Sequence, residues 1–253
     1  MNNTRSMQIE KRVKKMNTAI VLFSGGIDST ACFYWAKEKY DKIILLSFTY
    51  GSKEDEVIAN LNNKFSSLFE VKQKIISLPF LQEFSERVGS RLTATLDTPP
   101  ILDDFNQLDD KNITEETAKE VWVPGRNILF LSIASSFADS FEEPVDIIFG
   151  ANREEGETFP DNTLEFVNRM NDSTALGCLN EIKIIAPFHD YDKKAIVSYL
   201  NSIEAKIEFS SSCYNVQKWS ENNQPIHCGK CESCLRRKRA FELAEVEDPT
   251  KYE

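Results

Sequence analysis

Apolar residues in this chain fall either in short solid runs or in wider one-sided spacings, and that rhythm predicts its elements. Residues 18–23 (TAIVLF) form a β-branched, apolar run that stops at Ser24-Gly25-Gly26. Residues 42–48 (KIILLSF) form a second run, of the kind buried on both faces of a sheet. Between them, residues 29–39 hold no Gly or Pro and read as a helix opening near Asp28 or Ser29. Residues 54–69 place Val57, Ile58, Leu61, Phe65 and Leu68 on one helical face, and 74–78 give a third strand. Farther on, 127–141 reads as a helix bearing Ile128, Leu131, Ile133, Ala134 and Phe137, followed by a buried strand at 145–149 (VDIIF). Residues 166–176 and 193–203 read as helices, with a short strand at 183–186 between them. This alternation predicts an α/β fold built on a doubly wound parallel sheet.

Residues 89–118 break the rhythm with a Pro-Pro pair and many Asp, Asn and Thr residues, and read as a long loop or insertion. The expected organisation is a basic N-terminal extension (1–16), an α/β domain (17–205) and a cysteine-bearing tail ending in a charged helix (206–253). With 253 residues, that is one large domain with a small appendage.

Composition narrows the function classes. The chain is 41% hydrophobic and 28% charged, an ordinary globular balance. A net charge of −10 argues against extensive coating of a nucleic-acid backbone, although Arg236, Arg237, Lys238 and Arg239 make a local basic run that reads as a solvated helix end. No run approaches the roughly eighteen apolar residues that span a bilayer. The polar, basic first residues lack the apolar core of a secretory signal, so the expected location is cytoplasmic.

Two clusters carry chemistry. Ser24-Gly25-Gly26-Ile27-Asp28-Ser29 lies where a strand stops and a helix starts, a junction at which unpaired amides and the helix dipole favour an anion. The glycines let backbone approach phosphate oxygens, Ser24 and Ser29 add hydroxyls, and Asp28 suits a Mg²⁺ ion bridging phosphates. No Gly-Lys-Ser/Thr follows, so this is not a Walker loop, nor is it the dinucleotide pattern. In the tail, Cys228, Cys231 and Cys234 stand within seven residues, and Cys213 lies fifteen residues upstream. Such bunching in six cysteines favours a thiolate-bound metal, with zinc expected in a closed structural site. His227 is the substitute ligand should Cys213 face elsewhere. Cys32 and Cys178 read as packing residues.

SGGIDST resembles the PP-loop of the ATP pyrophosphatases, whose members include GMP, asparagine and NAD synthetases and the tRNA lysidine and thiolation enzymes. The likeness implies that ATP is cleaved between its α and β phosphates. It also implies that nucleotide is held along the run Phe23, Ser24, Gly25, Gly26, Ile27, Asp28, Ser29, Thr30, Ala31, Cys32 and Phe33. Several further stretches resemble the 7-cyano-7-deazaguanine synthase (QueC) family: the tail SSCYN…HCGKCESCLRRKRAF, the block Val123-Pro124-Gly125-Arg126-Asn127, Thr49-Tyr50-Gly51 and Phe159-Pro160-Asp161. The resemblance spans most of 18–243. Three features depart from the family pattern. Ser52, Lys53 and Glu54 stand where Gln, a basic residue and His are usual; Asn162 stands where many members carry Cys; and the gap from Cys213 to Cys228 is long. Residues 151–157 (ANREEGE) resemble archaeal-type members.

The resemblance implies a ligase that converts 7-carboxy-7-deazaguanine and ammonia to the nitrile through an adenylated acid and an adenylated amide. It implies small-molecule substrates, ATP, Mg²⁺, structural Zn²⁺ and a homodimer. Asp28 and Ser29 would act at the pyrophosphate, while Arg126 and Lys193 are the cationic candidates for phosphate or carboxylate. Glu154, Glu155 and Glu157 suit recognition of a guanine-like edge or of ammonium, or form a solvated loop. Three other readings stay open at this point: a tRNA-modifying PP-loop enzyme, a family-like enzyme with a protein or nucleic-acid acceptor, and a non-catalytic ATP sensor.

Overall fold

The computed structural model describes residues 16–93, 100–102 and 104–253, so most of the basic extension and Pro99 lie outside the described residues. Five strands, β1 (Met16–Leu22), β2 (Tyr40–Thr49), β3 (Lys72–Ser77), β4 (Val145–Ile148) and β5 (Ile182–Ile185), form one sheet in the order β3-β2-β1-β4-β5. All four pairings are parallel. The crossovers contain α1 (Ile27–Lys39), α2 (Asp55–Phe69), α3 (Phe80–Arg87), α4 (Lys111–Glu120), α5 (Arg126–Ala138), α6 (Arg153–Gly156) and α7 (Leu164–Gly177). Beyond β5 come α8 (Lys193–Ser202) and α9 (Glu232–Ala244), with a small second sheet of β6 (Lys218–Trp219), β7 (Pro225–His227) and β8 (Lys251–Tyr252).

Period-two alternation divides the core. Ala19, Val21, Phe23, Ile43 and Leu45 face one side, where they meet Leu61 and Phe65 of α2, Ile196 and Leu200 of α8, and Phe241 of α9. Ile20, Leu22, Ile44, Leu46 and Phe48 face the other side and pack on Leu131, Ala134 and Ala138 of α5 and Val167 of α7. Each fully buried aliphatic side chain contributes about 1.5–3 kcal/mol, and helices on both faces make the doubly wound α/β arrangement the way to bury all of them. Edge strand β3 is mostly exposed and carries Lys72 and Lys74, charges that discourage pairing with another chain. Among the described residues no helix is long and apolar enough to cross a membrane.

The described part of the 89–118 stretch, read from sequence as a loop or insertion, is in part helical. It contains a 3-10 turn, Phe105–Asp109, and then α4. Two of the aspartates in it are caps. Asp104 accepts from the amide of Asn106 in a capping box with Gln107, and Asp110 accepts from the amides of Asn112 and Ile113. Leu102 and Leu108 anchor this segment on Leu235 of α9.

Candidate active site and metal centre

β1 lies where the strand connections diverge to β2 on one side and β4 on the other, and its carboxyl end opens into the resulting crevice. There the chain turns through Ser24-Gly25-Gly26 into α1. Gly25 has φ +77°, and a Cβ on it would lie 2.5 Å from Leu61 Cδ1, so neither conformation nor space admits another residue. Gly26 caps α1 without any side-chain hydrogen bond, leaving first-turn amides for a ligand. Ser29 Oγ donates to the Gly26 carbonyl at 3.0 Å and lies 3.2 Å from Ser24 Oγ. From below, Ser47 donates its hydroxyl to the Phe23 carbonyl and receives a hydrogen bond from Asn62. Phe23, Ser24, Gly26, Ile27, Asp28 and Ser29 line the cavity above the loop. Thr30, Ala31, Cys32 and Phe33, included in the expected nucleotide run, are fully buried and line no part of it; Ala31, Cys32 and Phe33 pack in the core. The helical period turns them away.

Lys193, the first residue of α8, reaches the loop across the sheet end. Its ammonium lies 2.8 Å from Asp28 Oδ2 and 3.0 Å from Glu155 Oε1. Burial pushes the Asp28 carboxyl up, reinforced by Glu155 and Glu154 and opposed by Lys193. Burial would pull Lys193 down, but Asp28 and Glu155 outweigh it and hold the amine above its ordinary range. Burial also acts to raise Glu155, yet Lys193 and Arg236 prevail and keep it low. Asp28 Oδ1 is buried without a partner. Glu154 binds Arg236 at 3.1 Å and accepts the Lys193 amide at 3.3 Å, and Arg236 also holds Glu232 at 2.8 Å. Glu154 and Glu155 are therefore ion-pair partners rather than a solvated loop.

Arg126 enters the same cavity from the start of α5, launched by Gly125 at φ +60°. Burial alone would lower Arg126, but Tyr50, Glu54 and Asp161 raise it further. Burial pushes Glu54 up to about 7, with Arg126 opposing and Asp55 adding to the rise. No described residue hydrogen-bonds the Glu54 carboxylate, whereas Asp28 and Glu155 are tied to Lys193 and Asp161 accepts from Asn162 at 3.2 Å. The cavity encloses about 280 Å³. Phe48 stacks on Phe130 with centroids 4.1 Å apart, and Trp122 on Phe159 at 6.1 Å, giving flat apolar walls suited to an aromatic bicycle. Glu54, Trp122 and Tyr214 were not singled out from sequence as site residues. For Glu54 the only signal was its departure from the family pattern.

The metal question left open by spacing is decided by the fold. The sulfurs of Cys213, Cys228, Cys231 and Cys234 all lie within 4.8 Å of one another, and His227 is not among them. His227 is buried with its ring edge-on to Tyr252 at 5.8 Å, and neither ring nitrogen has a partner. Tetrahedral metal–sulfur bonds of about 2.3 Å would separate the sulfurs by about 3.8 Å, so a small inward adjustment closes the site. The amides of Asn215 and Cys228 point at Cys213 Sγ, each at 3.3 Å, and that of Cys231 at Cys228 Sγ at 3.4 Å, donors that suit thiolates. The residues fit a bound metal.

The basic run is not a solvated helix end. Arg236 pairs with two glutamates, and Arg237 is 1% exposed and bonded to Thr250 and Ser210. Lys238 donates to the Gly229 carbonyl at 2.8 Å, and Arg239 meets Asp109 at 2.7 Å.

The family and sequence matches cover most of the chain. Residues 18–245 match the family described as Queuosine biosynthesis protein QueC. The chain is 45% identical over 234 residues to the 7-cyano-7-deazaguanine synthase of Pyrococcus furiosus, covering 92% of this chain and 96% of that one. It is 39% identical over 240 residues to the enzyme of the same name from Methanocaldococcus jannaschii, covering 92% and 98%. Among solved structures, the U34-tRNA thiolase NcsA from Methanococcus maripaludis with its 4Fe-4S cluster aligns at a TM-score of 0.41 and 16% identity, over 92% of this chain and 74% of that one.

Proposed function

The chain belongs to the QueC family of queuosine biosynthesis proteins, and from that premise we propose that it is an ATP-dependent ligase making 7-cyano-7-deazaguanine from 7-carboxy-7-deazaguanine and ammonia. The observation that carries this reading is that one small cavity combines an anion-ready loop, a buried cation (Lys193), a half-buried one (Arg126) and flat aromatic walls. A carboxylate resists nucleophiles because its leaving group would be oxide. Transfer of AMP onto a carboxylate oxygen, with pyrophosphate expelled, supplies the leaving group.

In this reading the first-turn amides of α1 with Ser24 and Ser29 hold the departing pyrophosphate, and Lys193 stabilises charge developing at the α phosphate. Asp28 Oδ1, buried and unpartnered, fits a hard divalent cation such as Mg²⁺, which when bound screens the phosphate charge. Arg126 holds the substrate carboxylate in bidentate fashion. Ammonia attacks the acyl carbon, Glu54 accepts a proton from the nitrogen, and AMP leaves with the carbon–oxygen bonding pair to give the amide. A second ATP adenylates the amide oxygen, and loss of two nitrogen protons and AMP leaves the nitrile. The protein supplies position and charge and needs no covalent nucleophile. We take the four-cysteine metal to be zinc, since four thiolates leave no open position for catalysis. The enzyme is read as a cytoplasmic homodimer acting on small molecules. The internal pairing of the basic run at Arg236, Arg237, Lys238 and Arg239 gives no support to a tRNA acceptor.

The test is mass spectrometry of protein incubated with 7-carboxy-7-deazaguanine, ammonium, Mg²⁺ and ATP. Nitrile and AMP are expected, and both are lost in Asp28→Ala. AMP formation without nitrile would overturn the acceptor assignment, and absence of AMP from folded, metal-loaded protein would overturn the reaction class.

A further inference from the structure

The cysteine-bearing tail returns to the phosphate loop. After the 3-10 turn Ile207–Phe209 the chain passes through Ser210, Ser211 and Ser212 to reach Cys213. Ser211 donates its amide to the Gly25 carbonyl at 2.8 Å, placing it directly against the turn that opens α1. The residue is 7% exposed and lines the same cavity as Ser24, Gly26 and Ser29. Its hydroxyl oxygen is buried and has no hydrogen-bond partner. Such a group is costly to leave unmade, and a phosphate oxygen held by the loop would satisfy it.

The segment is fixed on both sides. Upstream, Arg237 donates to Ser210 Oγ at 2.9 Å, and that arginine is itself held by Thr250 at 2.7 Å. Downstream, only one residue separates Ser211 from Cys213, whose sulfur belongs to the metal-binding group. A peptide this short and this buried cannot shift at one end without moving the other.

We propose that Ser211 completes the pyrophosphate site as a third hydroxyl donor beside Ser24 and Ser29, and that the four-cysteine centre holds it there, coupling metal binding to pyrophosphate binding. This rests on the reading of the Ser24–Ser29 loop as a pyrophosphate site. The tail is then part of the active site rather than an appendage that only adds stability.

Titration calorimetry with inorganic pyrophosphate, and separately with AMP, tests the donor. Ser211→Ala is expected to weaken pyrophosphate by about tenfold or more while AMP affinity and metal content stay unchanged, because a single hydrogen bond to a charged acceptor is removed. Unchanged pyrophosphate affinity, or equal loss for both ligands, would overturn the proposal. Coupling is read in protein loaded with Co²⁺, whose thiolate absorption bands report ligand geometry. Pyrophosphate is expected to shift those bands in the wild type and not in Ser211→Ala, and an unmoved wild-type spectrum would overturn the coupling. A wild type that binds no pyrophosphate at all would instead sink the underlying assignment of the loop.

Discussion

Lys193→Met removes the charge that joins α8 to the phosphate loop. In the folded protein that ammonium sits 2.8 Å from Asp28 and 3.0 Å from Glu155, with its side chain 11% exposed and theirs 23% and 30%. At an effective dielectric near 20, each contact is worth roughly 6 kcal/mol before desolvation. The ammonium's own desolvation offsets several kcal/mol of that, and breaking a buried pair typically costs about 3–5 kcal/mol. Both carboxylates retain some water, so the low end, about 3 kcal/mol, is expected. For a chain of this size that lowers Tm by about 6–12 °C.

The pH dependence carries a sign that tests the cause. Glu155 is held low, so its contribution is present above its ordinary 4.5 and is lost as pH falls through the lower folded value. Asp28 is already raised, so its ionisation opposes folding as pH rises past 3.8. Without Lys193 both carboxylates take up protons more readily. The gap between variant and wild type should therefore be widest at neutral pH and narrow as the pH is lowered towards 5. Urea unfolding at several pH values measures it, and Lys193→Met with Glu155→Gln should recover more than 1 kcal/mol of the loss. A destabilisation under about 0.5 kcal/mol, or a strictly additive double variant, would refute the argument that this triad is electrostatically coupled.

Three further outcomes are expected. In the wild type, the rate of amide formation at saturating ATP should rise as pH rises through about 7, where Glu54 becomes ionised. With hydroxylamine, which is largely unprotonated near neutral pH so that supply of free nucleophile is not the cause, the same limb is expected in the wild type and should be lost in Glu54→Gln; a limb that persists in Glu54→Gln would count against a proton-accepting role. Gly25→Ala should cost about 2 kcal/mol or more by thermal unfolding and weaken ATP binding, since its Cβ would lie 2.5 Å from Leu61 Cδ1 at a φ of +77°; unchanged stability would show that the turn can relax. Cys231→Ser should drop bound metal below one ion per chain by elemental analysis and destabilise the tail, whereas His227→Gln should leave metal content intact.

Much of this was local and therefore legible. The β1 and β2 runs, the one-sided face of α2, the Ser24–Ser29 turn and the clustered cysteines each depend on residues a few positions apart, whose period and backbone chemistry are written directly in the chain. The helical turns within 89–118 were not legible because aspartate serves both loops and caps, and only the backbone distinguishes Asp104 and Asp110 as starts of helical turns.

What the sequence by itself determined, then, is an α/β sheet, an anion-binding turn and a thiolate-rich tail. Only the tertiary structure decided which distant groups meet there. Lys193 reaches Asp28 across 165 positions because β1 lies between β2 and β4, bringing the start of α8 over the start of α1. Cys213 rather than His227 closes the metal group, and Ser211 lands on Gly25, because the chain after α8 crosses the sheet's carboxyl end. Glu54 becomes an uncommitted carboxylate near neutrality through burial, with Arg126 opposing the rise and Asp55 adding to it. These depend on strand order and on which side each crossover takes, and they follow from the packing of the whole core rather than from any local period.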